Sequence, residues 1–174
     1  MNRLGVNDEV PLYPAMTLGA VDLSPIQVNQ MYQTIANAGR QIPVHAINAI
    51  TTHDDLSLWH FGHISEPVIS AEAAYLVNYA MHKVTQTGTA RELRQQFPRV
   101  NLAGKTGTTD DNRDSWFSGF DNDLLATVWI GKDDNGTTNL TGANGALKYY
   151  IDFQKRQQPR SLSQSFPGNL GIAQ

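Results

Sequence analysis

Apolar residues recur at helical spacing in three stretches of the chain. The first follows Ser24-Pro25, an N-cap with proline at the first helical position, and ends at Gly39. Its apolar positions predict a buried helix and are Val28, Met31, Tyr32 and Ile35. The second follows Ser70, ends at Gly88 and predicts a helix buried along one side through Ala73, Leu76, Val77, Ala80, Met81 and Val84. The third covers residues 142–157 and predicts a closing helix through Ala146, Leu147, Tyr150, Ile151 and Phe153.

Strand-like runs separate these helices. Residues 44–50 and 56–61 flank a polar turn and predict a β-hairpin, and a helical turn is predicted at residues 91–95. Three further strands are predicted at residues 102–108, 115–120 and 124–132. Their short connectors of Asp, Asn and Gly favour antiparallel pairing. The predicted fold class is therefore α+β, an antiparallel sheet flanked by helices over residues 1–157. The polar residues 158–174 predict a disordered tail.

Composition narrows the function classes. The 174 residues are 40% hydrophobic with a net charge of −3, as in an ordinary globular chain, and scattered basic residues argue against a nucleic-acid partner. The one basic group, Lys155, Arg156 and Arg160, is typical of a solvated helix end. Because there is no cysteine, disulfides, thiolate metal sites and a cysteine nucleophile are excluded. No apolar run reaches the ~18 residues that a membrane helix needs.

The stretch from Leu102 to Thr109, with the letters LAGKTGTT, carries the most informative chemistry. Its Gly-Lys-Thr letters resemble the end of a phosphate-binding loop. That loop requires a glycine where this chain has Arg99, and a helix directly after the threonine. A polar turn and another strand follow here instead, so the phosphate interpretation fails.

A Lys-Thr-Gly strand fits an acyl-transfer site better. Such a site must hold a substrate carboxylate, present a backbone N–H to an oxyanion and keep a cation near the reacting hydroxyls. Gly107 would let a substrate backbone lie alongside the strand. Thr106 and Thr108 share one face and can offer hydroxyls to a carboxylate, and Lys105 can supply the cation.

Several segments around this strand resemble the class A, bifunctional penicillin-binding proteins, especially the type 1B enzymes. The resemblance covers nearly all of residues 4–157. Its markers are Tyr13-Pro14-Ala15-Met16, Leu18-Gly19-Ala20, Leu23-Ser24-Pro25-Ile26, Tyr32-Gln33-Thr34-Ile35-Ala36, Gly88-Thr89-Ala90, Leu102 to Thr109, Asp114-Ser115-Trp116-Phe117-Ser118-Gly119 and Val128-Trp129-Ile130-Gly131. Together they are far more specific than the Lys-Thr-Gly tripeptide.

The resemblance implies the C-terminal part of a penicillin-binding transpeptidase fold. It implies Lys105 as a catalytic residue and Thr106, Gly107 and Thr108 as substrate-binding residues, with the Thr108 N–H in the oxyanion hole. The implied partners are peptidoglycan stem peptides and β-lactams, with no metal, cofactor or nucleic acid. The implied parent also carries a glycosyltransferase domain and a membrane anchor, on the periplasmic side of the bacterial inner membrane.

The chain departs from the family pattern in one respect. No serine is followed by lysine three residues later or by asparagine two residues later, so the Ser-x-x-Lys and Ser-x-Asn motifs are absent from it. We expect a fragment without a nucleophile, inactive by itself. Because the family completes its sheet with strands from an earlier segment, the strand at residues 124–132 should have an exposed edge, which predicts self-association.

Other interpretations remain open at this stage. A fragment of a β-lactamase or a D,D-carboxypeptidase would use the same strand, and a non-catalytic interaction module is the alternative outside enzymology. A metal site at His53, His60 and His63 and a calcium loop at Asp110, Asn112 and Asp114 both lack the full ligand pattern. The aromatic residues Trp116, Phe117, Phe120 and Trp129 are more typical of core than of a carbohydrate platform.

Overall fold

A computed structural model of the chain describes residues 1–6, 14–19, 21–62 and 64–164. Its Cα positions cluster into two compact units, Met1–Ala74 and Tyr75–Gln174. The boundary between the units lies within the second long helix, and the assignment of residues 1–157 to one part of a transpeptidase domain stays a prediction.

The first unit combines one long helix with short antiparallel strand pairs. Two 3-10 turns lie at Asn2–Leu4 and Pro14–Leu18. The helix and strands that follow are α1 (Pro25–Ala36), β1 (Arg40–Gln41), β2 (Ala49–Thr51), β3 (Ser57–His60) and β4 (Glu66–Pro67).

Helix α1 begins at the residues that the sequence predicts. The Gln27 N–H donates to Ser24 Oγ at 3.4 Å, and the Ser24 N–H donates to Gln27 Oε1 at 2.8 Å. This reciprocal capping box satisfies N–H groups that a helix start leaves without backbone partners. Pro25 lacks an N–H and occupies the first helical position, where none is needed.

The prediction that α1 is buried through its apolar residues is wrong in detail. Its buried residues are Gln30 and Thr34, whereas the predicted apolar positions are only half-buried, namely Val28, Met31, Tyr32 and Ile35. Gln30 Oε1 accepts from the Val44 N–H at 2.7 Å, and Gln30 Nε2 donates to the Ile42 carbonyl at 3.1 Å. The face of α1 that is buried is therefore the one carrying Gln30, whose amide provides hydrogen-bond partners for backbone groups of the next segment.

The predicted hairpin is confirmed as β2 paired with β3, although both strands are shorter than expected. The structure also pairs β1 with β4, which the sequence analysis missed because each strand has two residues. Gly39 precedes β1 with φ +83°, and a Cβ atom there would lie 2.4 Å from the Ile69 carbonyl oxygen. Glycine is thus required for the close approach that seats this second pair.

Helix α2 (Ala71–Gln86) begins at the predicted cap, because the Ala73 N–H donates to Ser70 Oγ at 3.2 Å. The predicted apolar stripe is correct only in part: Met81 is buried and Val84 packs against the core, but Ala73, Leu76, Val77 and Ala80 are exposed. The other buried residues are Ala74, Asn78, His82 and Thr85. His82 Nδ1 and Thr85 Oγ1 both donate to the Leu102 carbonyl, at 3.0 and 2.8 Å. The buried face therefore combines apolar residues with polar side chains that hydrogen-bond a distant carbonyl.

Three antiparallel strands form the main sheet of the second unit within the described residues. They are β5 (Ala103–Thr108), β6 (Ser115–Phe120) and β7 (Leu125–Ile130), in the order β5-β6-β7. All three lie within the predicted runs. In the register, Thr106 faces Phe117 and Gly107 faces Trp116. Strand β5 is therefore at one margin of the sheet and β7 is at the other.

Helices α3 (Glu92–Gln96) and α4 (Ala146–Gln157) contribute to the core of this unit. The Phe117 and Tyr150 rings lie 4.7 Å apart inside a buried cluster with Ala90, Leu93, Leu102, Ala146, Leu147 and Ile151. Burial of each large apolar side chain contributes about 1.5–3 kcal/mol. The closing helix starts later than predicted, and Gln154 is buried where Phe153 was expected.

Backbone hydrogen bonds hold residues in the described segment 158–164, which follows α4. The Arg160 N–H donates to the buried Asp121 carboxylate at 3.0 Å, and the Leu162 N–H donates to the Asn101 carbonyl at 2.9 Å. Disorder stays a prediction for residues 165–174, which lie outside the described residues. In the part of the chain that the structure describes, no helix combines the length and apolar character needed to cross a membrane.

Candidate active site

The four predicted site residues lie consecutively along strand β5. Lys105, Thr106, Gly107 and Thr108 are extended and paired on one side with β6. In the described residues the other side of β5 has no strand neighbour. An edge strand of this kind can pair with an extended peptide through its free backbone groups.

Lys105 presents an exposed side chain from this strand. Its Nζ donates to the carbonyl of Thr106 at 2.7 Å. The residue opposite in the register, Ser118, is buried and shares a 2.9 Å hydroxyl contact with Thr127. The ammonium is therefore the accessible cation on this part of the strand and would attract an anionic ligand.

Thr106 is almost fully buried, and its hydroxyl is engaged. Its Oγ1 lies 2.6 Å from the Thr89 Oγ1, with either hydroxyl able to donate. Thr89 comes from the loop that follows α2 and belongs to the Gly88-Thr89-Ala90 marker of the sequence. The residues of this marker do not by themselves indicate a role for Thr89.

Thr108 is exposed, and its hydroxyl oxygen accepts a hydrogen bond from the Gly142 N–H at 2.9 Å. The two threonines that the sequence assigns to one face therefore have different surroundings. The buried Thr106 hydroxyl pairs with the hydroxyl of the exposed Thr89, whereas a backbone N–H donates to Thr108 at the surface. Only three-dimensional placement reveals Gly142, because 34 residues separate it from Thr108.

Gly107 has a packing reason to be glycine besides the one that the sequence suggests. A Cβ atom at this position would lie 3.1 Å from the Trp116 Cβ on the neighbouring strand. That separation is closer than ordinary van der Waals contact. The bare backbone at 107 thus serves the β5-β6 pairing and also leaves room beside the strand.

The aromatic residues divide between core and surface. Phe117 and Phe120 are buried as predicted. Trp129 is 41% exposed and lies 6.0 Å from Trp116, with its indole N–H donating to Asp114 at 2.9 Å. The two tryptophans therefore pack as a pair at the far end of β6 and β7 from Phe120.

The residues of the calcium interpretation have other contacts. Asp110 and Asn112 belong to a 3-10 turn, and Asp114 binds Thr109 and Trp129. His60 lies on β3, and His63 lies outside the described residues. Among the residues that the structure does describe, no group of three or more His, Asp or Glu side chains is placed to hold a metal ion.

Two titratable side chains near the core have shifted pKa values. Burial lowers the pKa of His82, with Lys83 and Arg94 adding to the effect and the bond to the Leu102 carbonyl opposing it. Burial also raises the pKa of Tyr150 far above its ordinary value. Both side chains are therefore held in their neutral forms near pH 7.

The sequence of this chain is similar to those of known penicillin-binding proteins. Residues 13–140 match the model of the family described as penicillin binding protein transpeptidase domain. Penicillin-binding protein 1B of Vibrio cholerae is 44% identical over 171 residues, which are 98% of this chain and 22% of that protein. The chain thus spans about a fifth of the length of this relative.

Solved structures show the same fold. Penicillin-binding protein 1A from Haemophilus influenzae aligns with 96% of this chain and 31% of its own, at a TM-score of 0.84 and 23% identity. The imipenem acyl-enzyme complex of penicillin-binding protein A from Mycobacterium tuberculosis aligns with 91% of this chain and 41% of its own, at a TM-score of 0.65 and 18% identity. With the family match and the Lys-Thr-Gly strand at the sheet margin, these results show that the chain belongs to the penicillin-binding protein transpeptidase domain family.

Proposed function

We propose that this chain forms the Lys-Thr-Gly wall of a serine D,D-transpeptidase site that binds D-Ala-D-Ala stem peptides and β-lactams. The observation that carries the proposal is the placement of Lys105 and Thr108, both exposed, on a strand at the margin of the sheet. Membership of the transpeptidase family and the β-lactam acyl-enzyme of a protein with the same fold support it.

The wall has three chemical tasks in this proposal. Lys105 provides a positive charge for the substrate and for proton transfer to and from the reacting hydroxyl. The Thr108 hydroxyl donates to the terminal carboxylate, and the Thr108 N–H donates to the oxyanion of the tetrahedral intermediate. Gly107 leaves the strand accessible to the substrate backbone, and Thr106 supports the strand from its buried side.

The nucleophile must come from outside this chain, since its sequence has no Ser-x-x-Lys motif. In the proposed reaction a serine oxygen bonds to the penultimate D-alanine carbonyl carbon, and the terminal D-alanine leaves after accepting a proton. An amino group of a second stem peptide then attacks the ester and releases the serine. A parent with a glycosyltransferase domain, anchored at the periplasmic side of the inner membrane, belongs to the same proposal.

The chain alone tests one part of the proposal. Incubation with a labelled penicillin, followed by intact-mass measurement, should give no covalent adduct, because the sequence has no Ser-x-x-Lys motif to supply an activated serine. An adduct on this chain would contradict the assignment of the nucleophile to another segment.

The full-length protein that contains this chain tests the other part. We expect Lys105→Ala to lower the second-order rate of acylation by penicillin about tenfold to a hundredfold, equivalent to one lost charge-assisted hydrogen bond. The matched control is Lys132→Ala, which removes an exposed lysine just after β7. Equal rates for the two variants would refute the role of Lys105.

The fate of the acyl-enzyme tests the alternative enzyme classes. Rapid hydrolysis of the acyl-enzyme would favour a β-lactamase or carboxypeptidase over a transpeptidase.

Self-association of the isolated chain is a separate proposal. Strand β7 is an edge strand of the sheet, and the side chains of Trp129 on this strand and of Leu124 directly before it are each 41% exposed. Exposed strand margins with apolar side chains promote association. Light scattering over a range of concentrations should show dimers or larger species, and a constant monomer mass would count against this idea.

A further inference from the structure

We infer that Gly142 is a positioning residue that turns the Thr108 hydroxyl into a directed donor for a substrate carboxylate. The inference rests on the proposed function and adds a residue that the sequence analysis did not identify. Its basis is the 2.9 Å hydrogen bond from the Gly142 N–H to Thr108 Oγ1.

The direction of this hydrogen bond determines what Thr108 can do. A backbone N–H only donates, so the Thr108 oxygen must accept. The single hydroxyl proton then remains available for another acceptor, and the side chain is exposed. A carboxylate is the strongest such acceptor in the proposed substrate. The Thr89–Thr106 pair lacks this fixed direction, because either hydroxyl can be the donor.

Only glycine allows the donor to reach its position. A Cβ atom at 142 would lie 2.6 Å from the carbonyl oxygens of Gly107 and Trp116, and 2.9 Å from the Gly107 nitrogen. All three atoms belong to the backbone of the paired strands β5 and β6, so they cannot rotate away. Any larger residue must lift this segment from the sheet and withdraw its N–H from Thr108.

Ser115 anchors the segment on its other side. This hydroxyl is fully buried, donates to the Thr141 carbonyl at 2.8 Å and accepts from the Ala146 N–H at 2.8 Å. A Cβ atom at Gly145 would lie 2.5 Å from the same oxygen. The 141–146 loop is thus fixed to strand β6, which is itself paired with the strand that carries Thr108.

The test measures acylation of the full-length protein by benzylpenicillin and by its carboxylate methyl ester. We expect Thr108→Val to lower the ratio of the two rate constants about tenfold, since only the free acid presents the carboxylate. Gly142→Ala should lower the same ratio by a similar factor, and Thr108→Ser should restore it. The double variant should be no worse in this ratio than Thr108→Val, because Gly142 acts on the ligand only through the Thr108 hydroxyl, which Thr108→Val already removes.

One control variant and one independent test variant make the result specific. Gly62→Ala adds a Cβ atom where no other atom lies within 4 Å, and it should leave the ratio unchanged. Ser115→Ala releases the 141–146 loop without adding bulk, and it should lower the ratio even if Gly142→Ala does not fold. An unchanged ratio in Ser115→Ala, or in a folded Gly142→Ala, would overturn the inference, as would losses that multiply in the double variant.

The same data separate the inference from the function on which it rests. If Thr108→Val lowers the ratio and the Gly142 and Ser115 variants do not, the positioning role is wrong and the proposed function stands. If Lys105→Ala and Thr108→Val both acylate like the unaltered protein, the proposed function fails.

Discussion

The second unit builds a continuous apolar cluster around Phe117, Leu147 and Tyr150, whereas the described part of the first unit buries few hydrophobic residues, Val6 and Ala74 among them. Several large apolar side chains of the first unit are instead exposed, namely Ile26, Ile47, Ile50, Leu56, Leu58, Trp59 and Ile64. Apolar burial therefore dominates the stability of the second unit. The candidate site strand belongs to that unit and is one of the strands of its sheet.

Hydrogen bonds of polar side chains hold the segments of the first unit together. The Gln30 amide binds the backbone at Ile42 and Val44, and the Arg40 guanidinium binds the hydroxyl and carbonyl of Ser65. Each of the neutral Gln30 hydrogen bonds contributes about 0.5–1.5 kcal/mol net. Substitutions in the two units should therefore change the free energy of unfolding by different amounts.

The largest difference is expected for aromatic truncation. Phe117→Ala should lower the free energy of unfolding of the second unit by about 3–5 kcal/mol, because it leaves a cavity under Tyr150. Trp59→Ala in the first unit should change stability by less than about 0.5 kcal/mol, because Trp59 is 44% exposed. Urea unfolding followed by circular dichroism measures both. Comparable losses would show that the exposed hairpin contributes to a core.

Acidification should lower the stability of the second unit through His82. Because burial lowers the pKa of His82, the unfolded chain takes up a proton near pH 6.5 and the folded chain only at lower pH. Between these two values the unfolded state binds more protons, so lowering the pH favours unfolding. The stability contributed by neutral His82 is present above pH 6.5 and is lost as the pH falls, by at most about 1.4 kcal/mol per pH unit.

The variants of two histidines test this assignment. His82→Gln should remove the fall in urea midpoint between pH 7 and pH 5.5, whereas His60→Gln in the exposed hairpin should retain it. A fall of unchanged size in His82→Gln would assign the proton uptake to another group.

Features that depend on neighbouring residues, such as strand bounds and helix caps, could be predicted from the sequence. Strand β6 was predicted with its observed bounds, and the Ser24 and Ser70 caps were placed correctly, because cap chemistry and β-branched or aromatic runs act within a few residues. The buried face of α2 was predicted only in part, because the Leu102 carbonyl that binds His82 and Thr85 lies about 20 residues further along the chain. Gly142 was missed for the same reason: its need for glycine arises only where the loop meets the β5-β6 backbone.

A smaller effect is expected at the start of α1 in the first unit. Ser24→Ala removes the side-chain half of the capping box and should lower stability by about 1 kcal/mol. The control is Ser57→Ala on the exposed strand β3, which should be close to neutral. Thermal unfolding of both variants measures the difference, and an equal shift in the two midpoints would exclude a specific capping contribution.

The smallest effect is expected at the surface pair Glu92–Lys148 of the second unit. Lys148 Nζ lies 2.7 and 2.6 Å from the two carboxylate oxygens of Glu92, but the lysine side chain is 50% exposed. Solvent screening limits such a pair to about 0.2–1 kcal/mol, to be measured by a double-mutant cycle of Glu92→Gln and Lys148→Met. The Asp152–Lys155 pair, at 3.7 Å and more exposed, should give a still smaller coupling energy. If salt at 1 M fails to reduce the Glu92–Lys148 coupling, the contact is not electrostatic, since the screening length falls to about 3 Å under that condition.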